Sequence, residues 1–112
     1  MIEFSRYELL SILGWMLNKE DKIKTEIRKG RYVDATAYEC AVAIKERCLR
    51  ARREKDNNEI TMEFSKDELE FVLGEARYQA NLAACRKFDL VAVELAQNIC
   101  NKASGIYSEV AA

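Results

Sequence analysis

The stretch EFSRYELLSILG at residues 3–14 decides how this chain is read, because it returns as EFSKDELEFVLG at residues 63–74. Seven of the twelve positions are identical at an offset of sixty. A second correspondence follows at an offset of fifty-five. Asp34, Ala37, Glu39, Ala41 and Ile44 recur as Asp89, Ala92, Glu94, Ala96 and Ile99. A fixed internal offset is the mark of a duplicated structural unit. The second copy is shorter by about five residues, and each copy reads as a pair of helices.

The repeated residues have a physical task at helix starts. Phe4, Ser5, Glu8 and Leu9 fall at N′, N-cap, N3 and N4, which is a capping box with a hydrophobic staple. Phe64, Ser65, Glu68 and Leu69 repeat it. Val33-Asp34 with Tyr38, and Phe88-Asp89 with Val93, supply the aspartate version at the other two helix starts, with the negative charge at the positive end of the dipole. Glu8 and Glu68 are therefore expected as caps rather than as paired catalytic carboxylates.

Four helices are expected, at about Arg6–Lys29, Ala35–Glu54, Lys66–Arg86 and Leu90–Ser104, with Gly30 and Gly105 as the C-terminal stops of the first and last. The inward stripe of the first is Leu9, Leu13, Met16, Ile23 and Ile27, widened by Ile12 and Leu17. In the second it is Ala37, Ala41, Ile44 and Cys48, and in the fourth Ala92, Leu95, Ala96, Ile99 and Ala103. The third carries two stripes. One is Leu69, Val72, Leu73, Ala76, Ala80 and Ala83; the other is Phe71, Tyr78, Leu82 and Cys85. A helix apolar on two sides needs two neighbours, within one bundle or across a subunit boundary. Short connections make consecutive helices antiparallel neighbours. The expected fold is all-α: a single domain, residues 1–112, forming an antiparallel four-helix bundle from two tandem repeated helical hairpins. Hairpin one covers about 3–54 and hairpin two about 62–105. A linker at 55–60 joins them, and a short tail at 106–112 follows.

Length and composition agree. With 112 residues, no proline and only four glycines, the chain is one small domain poor in turns. The absence of histidine excludes Ser-His-Asp and Cys-His catalysis and most zinc sites. Residues 1–56 hold 13 basic and 10 acidic side chains, a net of +3, and residues 57–112 hold 5 and 9, a net of −4. Two oppositely charged halves favour docking on each other or on a second copy. Cys40, Cys48, Cys85 and Cys100 form no C-x-x-C pair, and no signal peptide precedes them, so reduced, mostly buried thiols in a cytoplasmic chain are expected. No apolar run reaches membrane-spanning length. Glu39 and Glu94 fall on polar faces, no metal-ligand spacing emerges, and the glycines stand alone, without a phosphate-binding loop. No cofactor is expected and an enzyme is not.

The candidate partner-binding residues are of two kinds. Lys45, Arg47, Arg50, Arg52, Arg53 and Lys55 form a basic run that could grip phosphates or an acidic protein surface. Within it Arg47, Arg50 and Arg53 are the candidate contacts. Glu46 and Glu54 stand at four-residue spacing from Arg50 as ordinary helix-face support. No aromatic platform for stacking bases accompanies the run. Trp15 and Tyr7 near the first helix start, and Phe71 and Tyr78 on the third, are aromatic candidates for interface anchors.

Gly30-Arg31-Tyr32-Val33-Asp34-Ala35 has the look of a tetratricopeptide turn, but a period of 55–60 in place of 34 argues against that family. The motifs EFSRYELL and EFSKDELE, with the Tyr/Phe-rich turns before Asp34 and Asp89, resemble small uncharacterised helical-hairpin proteins of phages and prophages. That resemblance implies a role in phage biology or interference with a host protein, and no catalytic residues. The expected function is a non-catalytic module that binds and regulates or inhibits another protein, self-associating as a homodimer through the third helix. A nucleic-acid-associated regulator using the basic end of the second helix is the alternative.

Overall fold

The computed structural model describes residues 2–54, 59–85 and 89–111. Along the chain it runs β1 (Ile2–Ser5), α1 (Arg6–Arg28), α2 (Ala35–Glu54), β2 (Glu59–Met62), α3 (Lys66–Cys85) and α4 (Leu90–Ala111). Of the described residues, 83% are helical, so helices dominate as expected. The small sheet was not expected.

β1 and β2 pair antiparallel, with Ile2 opposite Met62, Glu3 opposite Thr61 and Phe4 opposite Ile60. The cause is a period of two, in which Ile2, Phe4, Ile60 and Met62 point inward and are buried while Glu3 and Thr61 face out. The linker expected at 55–60 therefore ends earlier: Glu59 and Ile60 belong to β2, and residues 55–58 lie outside the described residues.

Each strand leads into a capped helix. Ser5 holds an extended conformation, its Oγ accepts from the Glu8 amide at 3.1 Å, and Glu8 Oε1 accepts from the Ser5 amide at 2.7 Å. Ser65 and Glu68 make the same exchange at 3.2 and 2.8 Å. Asp34 Oδ1 accepts from the amides of Thr36 and Ala37, and Asp89 Oδ1 from that of Ala92. The staple partner Phe88 and the third helix's expected last residue, Arg86, lie outside the described residues. α1 ends in a Schellman motif: the Gly30 amide donates to Ile27 and the Arg31 amide to Glu26. Gly30, at φ 72°, occupies the left-handed position that this motif requires.

α4 does not stop at Gly105. It continues to Ala111, and Ile106 and Tyr107 pack against the core. A glycine in mid-helix costs about 1 kcal/mol relative to alanine, and docking two large apolar side chains exceeds that.

α1 packs with α2, α3 with α4, α1 with α4, and α2 with α3. One core runs through all of them and the sheet, built on Phe4, Leu9, Ile12, Met16, Ile44, Cys48, Ile60, Leu69, Val72 and Ile99. Two residues assigned to the inward stripe of α1 are in fact exposed, Leu17 at 46% and Ile27 at 50%. The inward face of α1 is centred on Leu9, Ile12, Met16 and Ile23, and Leu17 lies on its flank, one turn beyond buried Leu13. No described helix is long and apolar enough to cross a membrane.

Candidate functional site

The two capped helix starts meet around the sheet. The rings of Phe4 and Phe64 contact edge to face, with centroids 6.2 Å apart and an interplanar angle of 64°. Each capping-box glutamate then receives a cation from the far half of the chain. Lys102 on α4 donates to Glu8 Oε1 at 2.6 Å and stands 5.7 Å from the centroid of the Phe4 ring. Arg47 on α2 donates to Glu68 Oε1 at 2.7 Å and to the Glu63 carbonyl at 2.9 Å. Glu8 and Glu68 correspond at the offset of sixty, and Arg47 and Lys102 at the offset of fifty-five. The second half thus supplies the counter-charge for the first helix, and the first half for the third. Burial is the largest single influence on Glu68 and pushes its carboxyl up. The Arg47 guanidinium and the Ser65 amide and hydroxyl together outweigh it, so the group is held below the usual carboxylate range.

A third ion cluster ties α1 to α2. Glu20 accepts from Lys45 at 2.8 Å and pairs with Lys24 at 3.2 Å. The Lys45 hydrogen bond outweighs burial and lowers the Glu20 carboxyl. At the equivalent positions of the second half stand Ala80 and Cys100, which replace this charged pair with small side chains.

Beside the Arg47–Glu68 pair opens a cleft of about 930 Å³. Its floor is apolar, with Ile2, Ile60, Met62 and Leu69 buried beneath it and Ile106 on one side. Arg50, Thr61 and Glu63 are its exposed rim. Such a volume is in the range of ligand and peptide sites.

The expected partner-binding residues divide. Arg50 lines the cleft and Arg53 is exposed beyond it. Arg47 lines the cleft too, one third exposed, and is held there by its bonds to Glu68 and to the Glu63 carbonyl. Glu46 does not support Arg50 as expected: among the described residues no ion pair joins them. Trp15 is half-buried against the core, beside a small cavity of about 160 Å³ shared with Gln79, Leu82 and Asp89. Phe71 is likewise half-buried on the core, whereas Tyr7 and Tyr78 are exposed at 73% and 52%. The second stripe of α3 is therefore partly covered within the chain.

The thiols are less uniformly hidden than expected. Cys40 and Cys48 are buried, Cys100 is half-buried and Cys85 is exposed. Burial pushes the Cys48 thiol up to about 12 and raises Cys40 as well, so both are protonated near neutral pH and poor nucleophiles. Among the described residues lining the cleft the carboxylates are Glu68, committed to a cap and an ion pair, and the exposed rim residue Glu63. Compared with known proteins, the chain matches no family model, no curated protein and no solved structure.

Proposed function

We propose that the chain is a non-catalytic interaction module, two tandem helical hairpins closed into a four-helix bundle, that binds another protein and regulates or blocks it. The observation that carries the reading is the open cleft of mixed polar and apolar lining beside a charge pair already satisfied within the chain. The apolar part of the lining, with half-buried Phe64 and Ile106, rewards the burial of a partner's apolar side chains. Arg50 at the rim favours a partner segment that carries a carboxylate next to them. A role in a phage–host encounter fits the resemblance of the repeated motifs to phage helical-hairpin proteins.

Gripping nucleic acid through the basic end of α2 is the less favoured reading. Arg47 is paired with Glu68, which neutralises one of the three arginines expected to contact phosphate. A photoreactive residue at Thr61, on the rim, should cross-link a partner protein in extracts. The same residue at Glu39, exposed on α2 away from the cleft, should not. Changing Arg50 and Arg53 to glutamine should leave the melt within about 0.5 kcal/mol and weaken the Thr61 cross-link. Nucleic-acid binding with a log–log salt slope of roughly −2 to −3, lost in that variant, would replace the proposal with the nucleic-acid reading.

A further inference from the structure

α1 presents an apolar stripe to the outside that the cleft does not use. Tyr7, Leu10 and Leu17 are exposed at 73%, 38% and 46%, with exposed Gly14 between the two leucines. Spacings of three, four and three place all four on one face of the helix. Gly14, like its repeat equivalent Gly74, meets no packing demand for glycine within the chain, and what sets the α1 face apart is the leucines on either side of it. A Cβ there would meet nothing within 4 Å, and its φ is ordinary. Glycine weakens a mid-helix position relative to alanine. What it permits is close approach of another backbone from outside.

The charges around the stripe are self-complementary. Turn a second copy of α1 antiparallel about the point between Leu13 and Gly14. Leu10 of one copy then faces Leu17 of the other, and Arg6 faces Asp21, each pairing occurring twice. Arg6 and Asp21 are both exposed. An isologous contact requires a patch to match itself in this way. At the equivalent positions of α3 the two leucines are Glu70 and Arg77, so the corresponding face is polar.

We infer that the exposed face of α1 is a homodimer interface, in which two copies pack their α1 helices antiparallel around Gly14, leucine against leucine and Arg6 against Asp21. The contact is one helix wide and small for a stable interface, so it forms and dissociates in the micromolar range. This surface is separate from the cleft, and its failure would leave the proposed partner binding untouched.

Sedimentation of the full chain across a concentration series tests the inference. Wild type should approach twice 12.9 kDa at high micromolar concentration and dissociate on dilution. Asp21→Arg should weaken dimerisation roughly tenfold by setting like charges opposite each other. The further change Arg6→Asp should restore it, which a merely structural effect would not do. Gly14→Ala should raise the melting temperature of the dilute monomer yet weaken the dimer. A monomer at every concentration overturns the inference. So does a dimer indifferent to the Asp21 and Gly14 changes but broken by Tyr78→Glu, which would place the contact on α3.

Discussion

Arg47→Met keeps the aliphatic stem and removes the charge that faces Glu68. The Glu68 side chain is 8% exposed, so the variant strands a carboxylate in a desolvated place with little beyond the Ser65 groups to hold it. Breaking a fully buried pair costs about 3–5 kcal/mol, and one hydrogen bond to a charged group is worth about 1.5–3. Arg47 itself is 34% exposed at the cleft edge, and water entering there replaces part of what is lost. The expected loss is therefore near the lower range, about 2 kcal/mol, which for a chain of this size lowers the melting midpoint by about 8 °C. The pH dependence is the sharper readout. In wild type the Glu68 carboxyl lies below its ordinary value. Its contribution is thus complete above the unfolded value of about 4.3 and is lost as pH falls toward the folded one. Without Arg47, burial dominates and protonation relieves the strain. The gap between wild type and variant should narrow as pH falls from 7 to about 4. Urea unfolding at several pH values measures it. Adding Glu68→Gln, whose amide oxygen can still accept from Ser65, should recover part of the loss at pH 7 and remove the narrowing. A loss under about 0.5 kcal/mol, or a gap independent of pH, refutes the reasoning.

Other consequences can be measured alongside. Ser5→Ala and Ser65→Ala should each cost about 1 kcal/mol in denaturant melts, whereas Ser11→Ala, whose hydroxyl bonds only to the Tyr7 carbonyl, should stay within about 0.5. Gly30→Ala should cost about 1–2 kcal/mol because φ there is positive, whatever the open space around it. With a thiol reagent at pH 8, exposed Cys85 should react first, and Cys48 should react only as fast as the protein unfolds; early labelling of Cys48 would show that its burial is overstated.

Local physics was the legible part of this sequence. The capping boxes at Ser5 and Ser65, the aspartate caps and the turn at Gly30 all depend on residues within five positions of each other, and each is where its spacing predicted. The strands were hidden for a related reason. Phe4 satisfies both the staple and the inward alternation of Ile2 and Phe4, and the staple reading absorbed it. Ile60 and Met62 carried the same alternation, but it spans only four residues. Gly105 misled because glycine after a helical run usually ends it. Only the docking of Ile106 and Tyr107, a tertiary effect, shows why α4 goes on. Leu17 was drawn into the core because it stands four residues after buried Leu13, but it falls about 90° from the centre of the buried face, where no neighbouring element covers it. The Arg47–Glu68 and Lys102–Glu8 pairs could have been sought, since both cations and both acids correspond through the repeat. Which half each cation would serve is a matter of packing and not of spacing.

The pairing of Glu8 with Lys102 across 94 residues also sets an order of events during synthesis. A ribosome adding roughly 5–20 residues per second releases Lys102 about 5–20 s after Glu8. Over that interval the nascent first half carries a carboxylate with no counter-charge and a β1 edge whose partner strand is late to arrive. Neither can be settled by local folding. Until they emerge, the N-terminal half lacks both the Lys102 cation and the β2 strand that it meets in the folded chain.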